Sequence, residues 1–431
     1  MRCKFILIWG ILFLPWTFPG IIFSGAIRSL TLQESIEIAL RNNLSALSAK
    51  EEIRGAEFRK KASFDDFLPK LSAQYAYSKL NEAPTLPIPR VGNIPLGWEE
   101  TYQFSLNLEQ PLFTGFYLKT LHDLAGLGLD TSKIRLERIS REITLKVKEA
   151  YFYTLKAEKL KEVAEQAFKK VAAHREVARH FYEAGMIPKN DLLQAEVQLA
   201  QFQQNLVKAE NGVELARASF NTLLRLGLEE IILMPEPLNY QPFTFPLEIA
   251  QQKALANRPE VQELNLLVAQ AGKSVDLVRS NYYPKVVLSA SYTKSEDKPI
   301  PQTESWNVIA LAKWTFWEWG KTNHQVEEGK VKIRQAENAR EELMDGIRLE
   351  VKQAYLGMME AGKNIPVAQK AIEQAEENLR INQARYQEQA ATSTDVLDAQ
   401  TLLTRALTNY TNALADYNIA QARLEKATGA K

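Results

Sequence analysis

Two carboxylates near the end of the chain, Asp395 and Asp398, stand three residues apart, which puts both on one face of an α-helix. Crowded carboxylates raise one another's pKa and attract cations, the chemistry of a charged constriction. The same pair also suits the first turn of a helix capped near Ser393 or Thr394, where the helix dipole alone favours carboxylates. Residue types leave both readings open. Other chemistry finds little footing. His122, His174, His180 and His324 lack the i, i+4 partner of a metalloprotease helix and read as solvated surface residues. Gly126 and Gly128 follow no βαβ strand, and no Walker-type lysine loop occurs, so dinucleotide and ATP sites are unsupported. Trp314, Trp317 and Trp319 could form a ligand box, but at a junction of strand and helix they read better as an interfacial belt. No enzyme, cofactor or metal centre is expected.

The elements that position these residues belong to a chain of 431 residues with 53 Lys+Arg against 52 Asp+Glu. That balance argues against a nucleic-acid partner. Residues 1–26 read as an export signal: Arg2 and Lys4 precede an apolar run over residues 5–14, and Ser24-Gly25-Ala26 offers small residues for cleavage. The single cysteine, Cys3, would leave with it, which removes disulfides and thiolate sites from the mature protein. Beyond that segment no run approaches the roughly 18 apolar residues of a membrane-spanning helix.

The chain is duplicated. Leu32, Ala39, Leu40, Asn42, Ala56, Pro69, Lys70 and Tyr77 recur 215 residues later as Leu247, Ala254, Leu255, Asn257, Ala271, Pro284, Lys285 and Tyr292. Ala150, Tyr151, Tyr182, Asp191, Leu193, Ala195 and Leu199 recur at an offset of 204 as Ala354, Tyr355, Tyr386, Asp395, Leu397, Ala399 and Leu403. The expected units are a first repeat over residues 27–230, a Pro-rich linker over 231–246 and a second repeat over 247–431. Each copy opens with a short amphipathic helix, the first carrying a capping box in Thr31-Leu32-Gln33-Glu34. Period-two alternation then predicts four strands, over about residues 71–80, 101–110, 286–294 and 306–314, each with one apolar and one mostly polar face. Strands of about 10 residues reach the length of a tilted membrane strand, and Tyr75, Tyr77, Tyr102, Trp306 and Trp314 suit an interfacial girdle. Four strands cannot close a membrane barrel, because single-chain barrels start at about eight. Either several chains share one barrel or the strands lie outside a membrane.

The rest of each copy reads as a long helical hairpin. Proline is absent from residue 112 to 187, and Ile139, Ile143, Val147, Ala150, Tyr151 and Leu155 recur at spacings of three and four. The expected rod is on the order of 100 Å. It turns near residues 185–190, and its counterpart turns near 389–394, with Gly357, Gly362 and Pro366 as the place for a bend. Rods with narrow stripes of Ala, Leu and Val need neighbouring helices to bury them.

This combination resembles the TolC-like outer membrane efflux protein family across nearly the whole mature chain. The resemblance rests on Pro111-Leu112-Phe113-Thr114-Gly115 and its degenerate echo over residues 314–320, on Ala150-Tyr151 with Ala354-Tyr355, and on the returns Ala184-Gly185-Met186-Ile187-Pro188-Lys189-Asn190-Asp191 and Asp395-Val396-Leu397-Asp398-Ala399-Gln400. It implies a mostly α protein of duplicated long helical hairpins forming a coiled-coil barrel, with four membrane strands per chain contributing to a trimeric 12-stranded barrel. It implies an outer membrane exit duct with a periplasmic tunnel, serving tripartite efflux or type I secretion. Its partners would be a second and third copy of itself, a periplasmic adaptor, an inner-membrane pump and outer membrane lipid. Threefold symmetry would set Asp395 and Asp398 as two stacked rings. Tyr386 and Asp191 match positions that can latch inner and outer helix pairs in the closed state, and a phenol can donate to a carboxylate. Where the family pattern allows a basic latch residue, this chain has Ala390-Ala391-Thr392. The turn residues Gly185, Met186, Ile187, Ala390 and Ala391 are the implied adaptor-docking tips, although packing between neighbouring turns would also explain the apolar pair Met186 and Ile187. The competing function is a periplasmic coiled-coil adaptor or structural protein that bridges the membranes without a pore. The transported substrate is not legible.

Overall fold

The computed structural model describes residues 28–95, 98–242, 245–297 and 303–430; the expected export signal and Cys3 lie outside them. The first copy begins with a two-residue strand β1 (Arg28–Ser29) and helices α1 (Leu32–Asn42) and α2 (Leu44–Asp65). The capping box forms as expected: the Thr31 hydroxyl accepts from the Glu34 amide, and the Glu34 carboxylate accepts from the Thr31 amide at 2.8 Å. Strand β2 (Lys70–Lys79) follows, then a hairpin of β3 (Thr85–Ile88) and β4 (Gly92–Pro95), then β5 (Glu100–Phe113). Helix α3 (Tyr117–Glu183) returns as α4 (Lys189–Leu224), and β6 (Ile232–Leu233) pairs in parallel with β1. The second copy repeats the plan with α5 (Leu247–Asn257), α6 (Pro259–Arg279), β7 (Lys285–Asp297), β8 (Thr303–Lys313), α7 (Lys321–Gln387) and α8 (Ser393–Ala427). The β3–β4 hairpin and the β1–β6 pair go beyond the four expected strands. Prolines and very short lengths hid them from a reading based on alternation.

The four long strands form one antiparallel sheet in the order β2-β5-β7-β8. Its register sorts the side chains by chemistry. Ala73, Leu106, Tyr292 and Trp306 make a row across the sheet, and Leu71, Leu108, Ala290 and Val308 make the next row on the same face. The opposite face carries Ser72, Asn107, Ser291 and Asn307, with the Ser291 hydroxyl donating to the Asn307 amide oxygen at 2.7 Å. Every residue of β8 is exposed, and Trp306 keeps 78% of its surface. Both outer strands, β2 and β8, lack a second neighbour among the described residues, so the sheet has two open edges.

Sheet and helices meet at paired left-handed turns. Gly115 and Phe116 have φ of 64° and 67°, and Trp319 and Gly320 repeat this at 52° and 83°. One glycine per pair relieves the strain, at the first position in one copy and the second in the other. A Cβ on Gly115 would lie 2.5 Å from the Ser280 carbonyl oxygen, so only glycine lets the junction close there.

Helices α3 and α7 each have 67 residues, hence rods of about 100 Å. Helix α7 runs unbroken through Pro366, whose ring removes the bond to the carbonyl of Gly362. Gly362 faces the Tyr417 ring of α8, 3.4 Å from where a Cβ would stand. Nearer the sheet, α2, α3, α6 and α7 pack side by side; toward the returns the order is α4, α3, α8 and α7. The core is a string of clusters along the rods. One joins Ile36, Ala39, Val147, Tyr151, Phe220 and Leu224; its counterpart joins Ala250, Ala254, Ile347 and Val351. The connection between copies is pinned across them: the Glu236 carboxylate accepts from the Leu32 amide, Asn418 donates to the Asn239 carbonyl at 2.9 Å, and Tyr417 donates to the Gln241 carbonyl.

Candidate constriction at the helix returns

The two returns are built alike. After α3 the Met186 amide donates to the Phe181 carbonyl at 2.8 Å and the Gly185 amide to the Tyr182 carbonyl at 2.9 Å, with Gly185 left-handed at φ 73°. After α7 the Ala390 amide donates to Arg385 at 2.7 Å and the Gln389 amide to Tyr386 at 3.1 Å, with Gln389 left-handed at φ 60°. Both are Schellman endings. Arg385 adds a side-chain bond of 3.0 Å to the Ala390 carbonyl, so a basic residue braces this return from just before it.

The copies differ at the next helix start, and this decides what their aspartates do. Thr392 caps α8: its amide and hydroxyl both donate to Asp395 Oδ2 at 2.8 Å. The cap is therefore one residue before Ser393 and two before Thr394, the positions expected. These bonds hold the Asp395 carboxyl below its ordinary pKa, the backbone amide first and the hydroxyl second. In the first copy Pro188 occupies the cap position and has neither hydroxyl nor amide hydrogen to offer, so Asp191 is not engaged in this way. Asp398 is exposed, beside an apolar groove lined by Leu193, Val197 and Leu397 between the starts of α4 and α8. Thr394 bridges that groove by donating to Gln194 at 2.7 Å.

Tyr386 is buried, packed on Phe181 of α3 with ring centroids 5.5 Å apart and on His174 at 4.9 Å. Burial, and then the charge of Asp191, push its phenol pKa up. The structure thus brings Tyr386 and Asp191 near one another, and the hydroxyl sits beside Ser393 rather than on the aspartate. His174 shares a hydrogen bond of 2.9 Å with the fully buried Ser393 hydroxyl. Burial lowers its pKa to about 4.

Two histidines expected on the solvated surface are not there. His174 is half-buried in this cluster, and His122 shares a 3.0 Å hydrogen bond with Ser63 and packs edge-on against Phe64 and Phe67. Their partners lie 219 and 59 residues away, beyond what spacing reports. His180 and His324 are exposed. Among the turn residues, Gly185, Met186 and Ala390 are exposed and Ala391 is half-buried, while Ile187 packs on the cluster formed by Val171, Ala195 and Leu397. Sequence reasoning missed Gln194 and the contact between His174 and Ser393, having read the first as solvated and the second as a cap. The repeat carried no signal for them, because their counterparts at the 204 offset are Asn378, Lys189 and Asp398.

The chain as a whole is similar to known proteins. The family model described as outer membrane efflux protein matches residues 35–224 and 250–430. Outer membrane protein TolC of Escherichia coli strain K12 is 22% identical over 442 residues, covering 93% of this chain and 85% of the relative. The Campylobacter jejuni CmeC outer membrane channel superposes with a TM-score of 0.80 at 17% identity, over 92% of this chain and 85% of that one. The outer membrane protein VceC of Vibrio cholerae gives 0.77 at 18% identity, over 93% and 96%.

Proposed function

The chain belongs to the outer membrane efflux protein family, and we propose on that footing that three copies form the exit duct of a tripartite efflux or type I secretion system. Its place is the outer membrane, with the helical rods extending into the periplasm. The observation that carries the proposal is the open sheet: in its central rows one face is apolar and the other hydroxyl- and amide-rich, and among the described residues both edges are free. Outer strands β2 and β8 run antiparallel, so β8 of one copy can pair with β2 of the next and continue the alternation. Head-to-tail pairing of three copies closes twelve strands, with the apolar rows toward lipid and the polar rows toward water. The edge helices make the same demand. Val197 and Leu215 on α4 and Leu356 and Val367 on α7 are exposed apolar residues on the outermost rods.

In this reading the returns are the closed end of the duct. Tyr386, packed on Phe181 and His174 with Asp191 nearby, holds the second hairpin to the first, Asp395 and Asp398 form the charged rings, and the exposed Gly185, Met186 and Ala390, with Ile187 and Ala391 beside them, meet a periplasmic adaptor that links the duct to an inner-membrane pump. Heat-resistant trimers in the outer membrane fraction, conducting ions in planar bilayers, are the expected result. A non-pore adaptor would instead extract with the periplasm or inner membrane and pass no current. Tyr386→Phe should raise single-channel conductance several-fold, and unchanged conductance would remove the latch.

A further inference from the structure

We propose that His174 is a positioning residue of the closed end: it ties the first helical hairpin to the second at the returns, and proton uptake releases the tie. The proposal rests on reading the returns as the gate. The imidazole comes from α3 of the first hairpin and touches both helices of the second, stacking on Tyr386 of α7 and sharing a hydrogen bond with Ser393 of α8. A neutral ring is compatible with these contacts. An imidazolium must donate from both nitrogens, and among the described residues it has the Ser393 hydroxyl but no bonded carboxylate to receive it. Ser393 is also the first residue of α8, so the charge would face the positive end of that helix dipole.

The charged groups on the surrounding turns do not supply the missing partner. From α4, Asp191 acts on Tyr386; from α7, Arg385 is bonded to the Ala390 carbonyl. From α8, Asp395 is bound in its cap, and Asp398 is exposed. On α3 itself, Arg175 and Arg179 pair with Glu176, and His180 faces Glu183. Burial depresses the imidazole pKa from 6.5 to about 4 while the hairpins are together. Solvated by their separation, the ring returns toward the ordinary value of about 6.5. The sign follows from the depressed value: the tie is at full strength above about pH 6.5 and weakens as pH falls toward about 4. Between about pH 7.5 and about pH 5 the opening equilibrium should rise about 30-fold, while most carboxylates remain ionised.

The test uses the full-length assembled protein with spin labels on Met186→Cys and Gln389→Cys, both exposed return positions, and parallel bilayer recordings. In the labelled parent the distance between returns should lengthen, and conductance should rise, from about pH 7.5 to about pH 5. His174→Gln, which can still hydrogen-bond but cannot become charged, should flatten the distance response. Ser393→Ala, which removes the ring's partner, should move the transition to higher pH. A parent that shows no distance change, or His174→Gln responding like the parent, overturns the proposal. Absence of any shift in Ser393→Ala also counts against it. If distances respond as expected while conductance stays constant, the tie stands and the reading of the returns as the gate fails.

Discussion

At the scale of single residues, the two carboxylates that first suggest a charged ring have different employment. Asp395 is committed to the α8 cap through three bonds to Thr392, whereas Asp398 is exposed and engaged in no comparable cap. Asp398→Asn should therefore lower cation selectivity and metal-ion block with little effect on stability. Asp395→Ala should in addition destabilise the return, because it removes one half of the capping box. Reversal-potential measurements across a salt gradient check the first effect, and thermal dissociation checks the second; retained selectivity in the double variant removes the ring. A stronger structural dependence belongs to Arg258, 4% exposed between α5 and α6, which bonds Glu260 at 2.8 Å and Glu350 at 2.5 Å while Lys426 holds the other Glu350 oxygen at 2.8 Å. Burial opposes the charge on both glutamates, yet these bonds outweigh it and their pKa values are lowered. Carboxylates lowered in this way stabilise the fold above about pH 4.3, and the contribution disappears as pH falls through their depressed values. Arg258→Ala should cost about 3 kcal/mol at neutral pH, the low end for a broken buried pair because Glu350 stays partly hydrated, and the loss relative to the parent should shrink in acid.

At the scale of elements, much was legible because both copies obey the same periodicity. The four long strands begin and end within a few residues of the alternating runs, and α3 follows the proline-free, three-and-four-spaced stretch, while α7 matches it in length although Pro366 lies inside it. The closed end was less legible for a physical reason: its buried groups are fixed by contacts between hairpins. Nothing local marks His174 as buried, since its partner Ser393 arrives from the other copy. The cap at Thr392 was displaced by one or two residues because several neighbouring hydroxyls compete for the same role, and only backbone geometry chooses among them. The junction turns are a middle case. Gly115 and Gly320 are both left-handed, but a Cβ at Gly115 would strike the Ser280 carbonyl, whereas at Gly320 its nearest neighbour is the His324 ring at 3.5 Å. Gly320→Ala should therefore cost only the backbone penalty of about 1–2 kcal/mol. Gly115→Ala should cost more, since the sheet must shift against α6. A larger drop in thermal dissociation temperature for Gly115→Ala checks this order, and equal drops would mean that conformation alone governs both junctions.

At the scale of the whole molecule, a single chain leaves two kinds of surface unfinished: the backbone donors and acceptors along the outer edges of β2 and β8, and the apolar rows that run across the sheet. Lipid covers the apolar rows but offers the strand edges no hydrogen bonds, so in the proposed duct the strands become stable in the membrane only when copies join edge to edge, which couples assembly to insertion. Val308 lies in an apolar row beside Leu71, Leu108 and Ala290 and is exposed on the last strand. Val308→Arg should cost about 2–4 kcal/mol per chain near the bilayer midplane. In the proposed threefold closure the position is used three times, so the assembled barrel would bear about 6–12 kcal/mol, enough to abolish heat-resistant trimers. Asn307→Arg, one residue away on the polar face, places the same charge toward water and should leave trimers intact while altering ion selectivity. Gel mobility of unheated membrane extracts separates the two variants. If both behave alike, the polar and apolar faces do not part lumen from lipid, and the strands close some structure other than a membrane barrel.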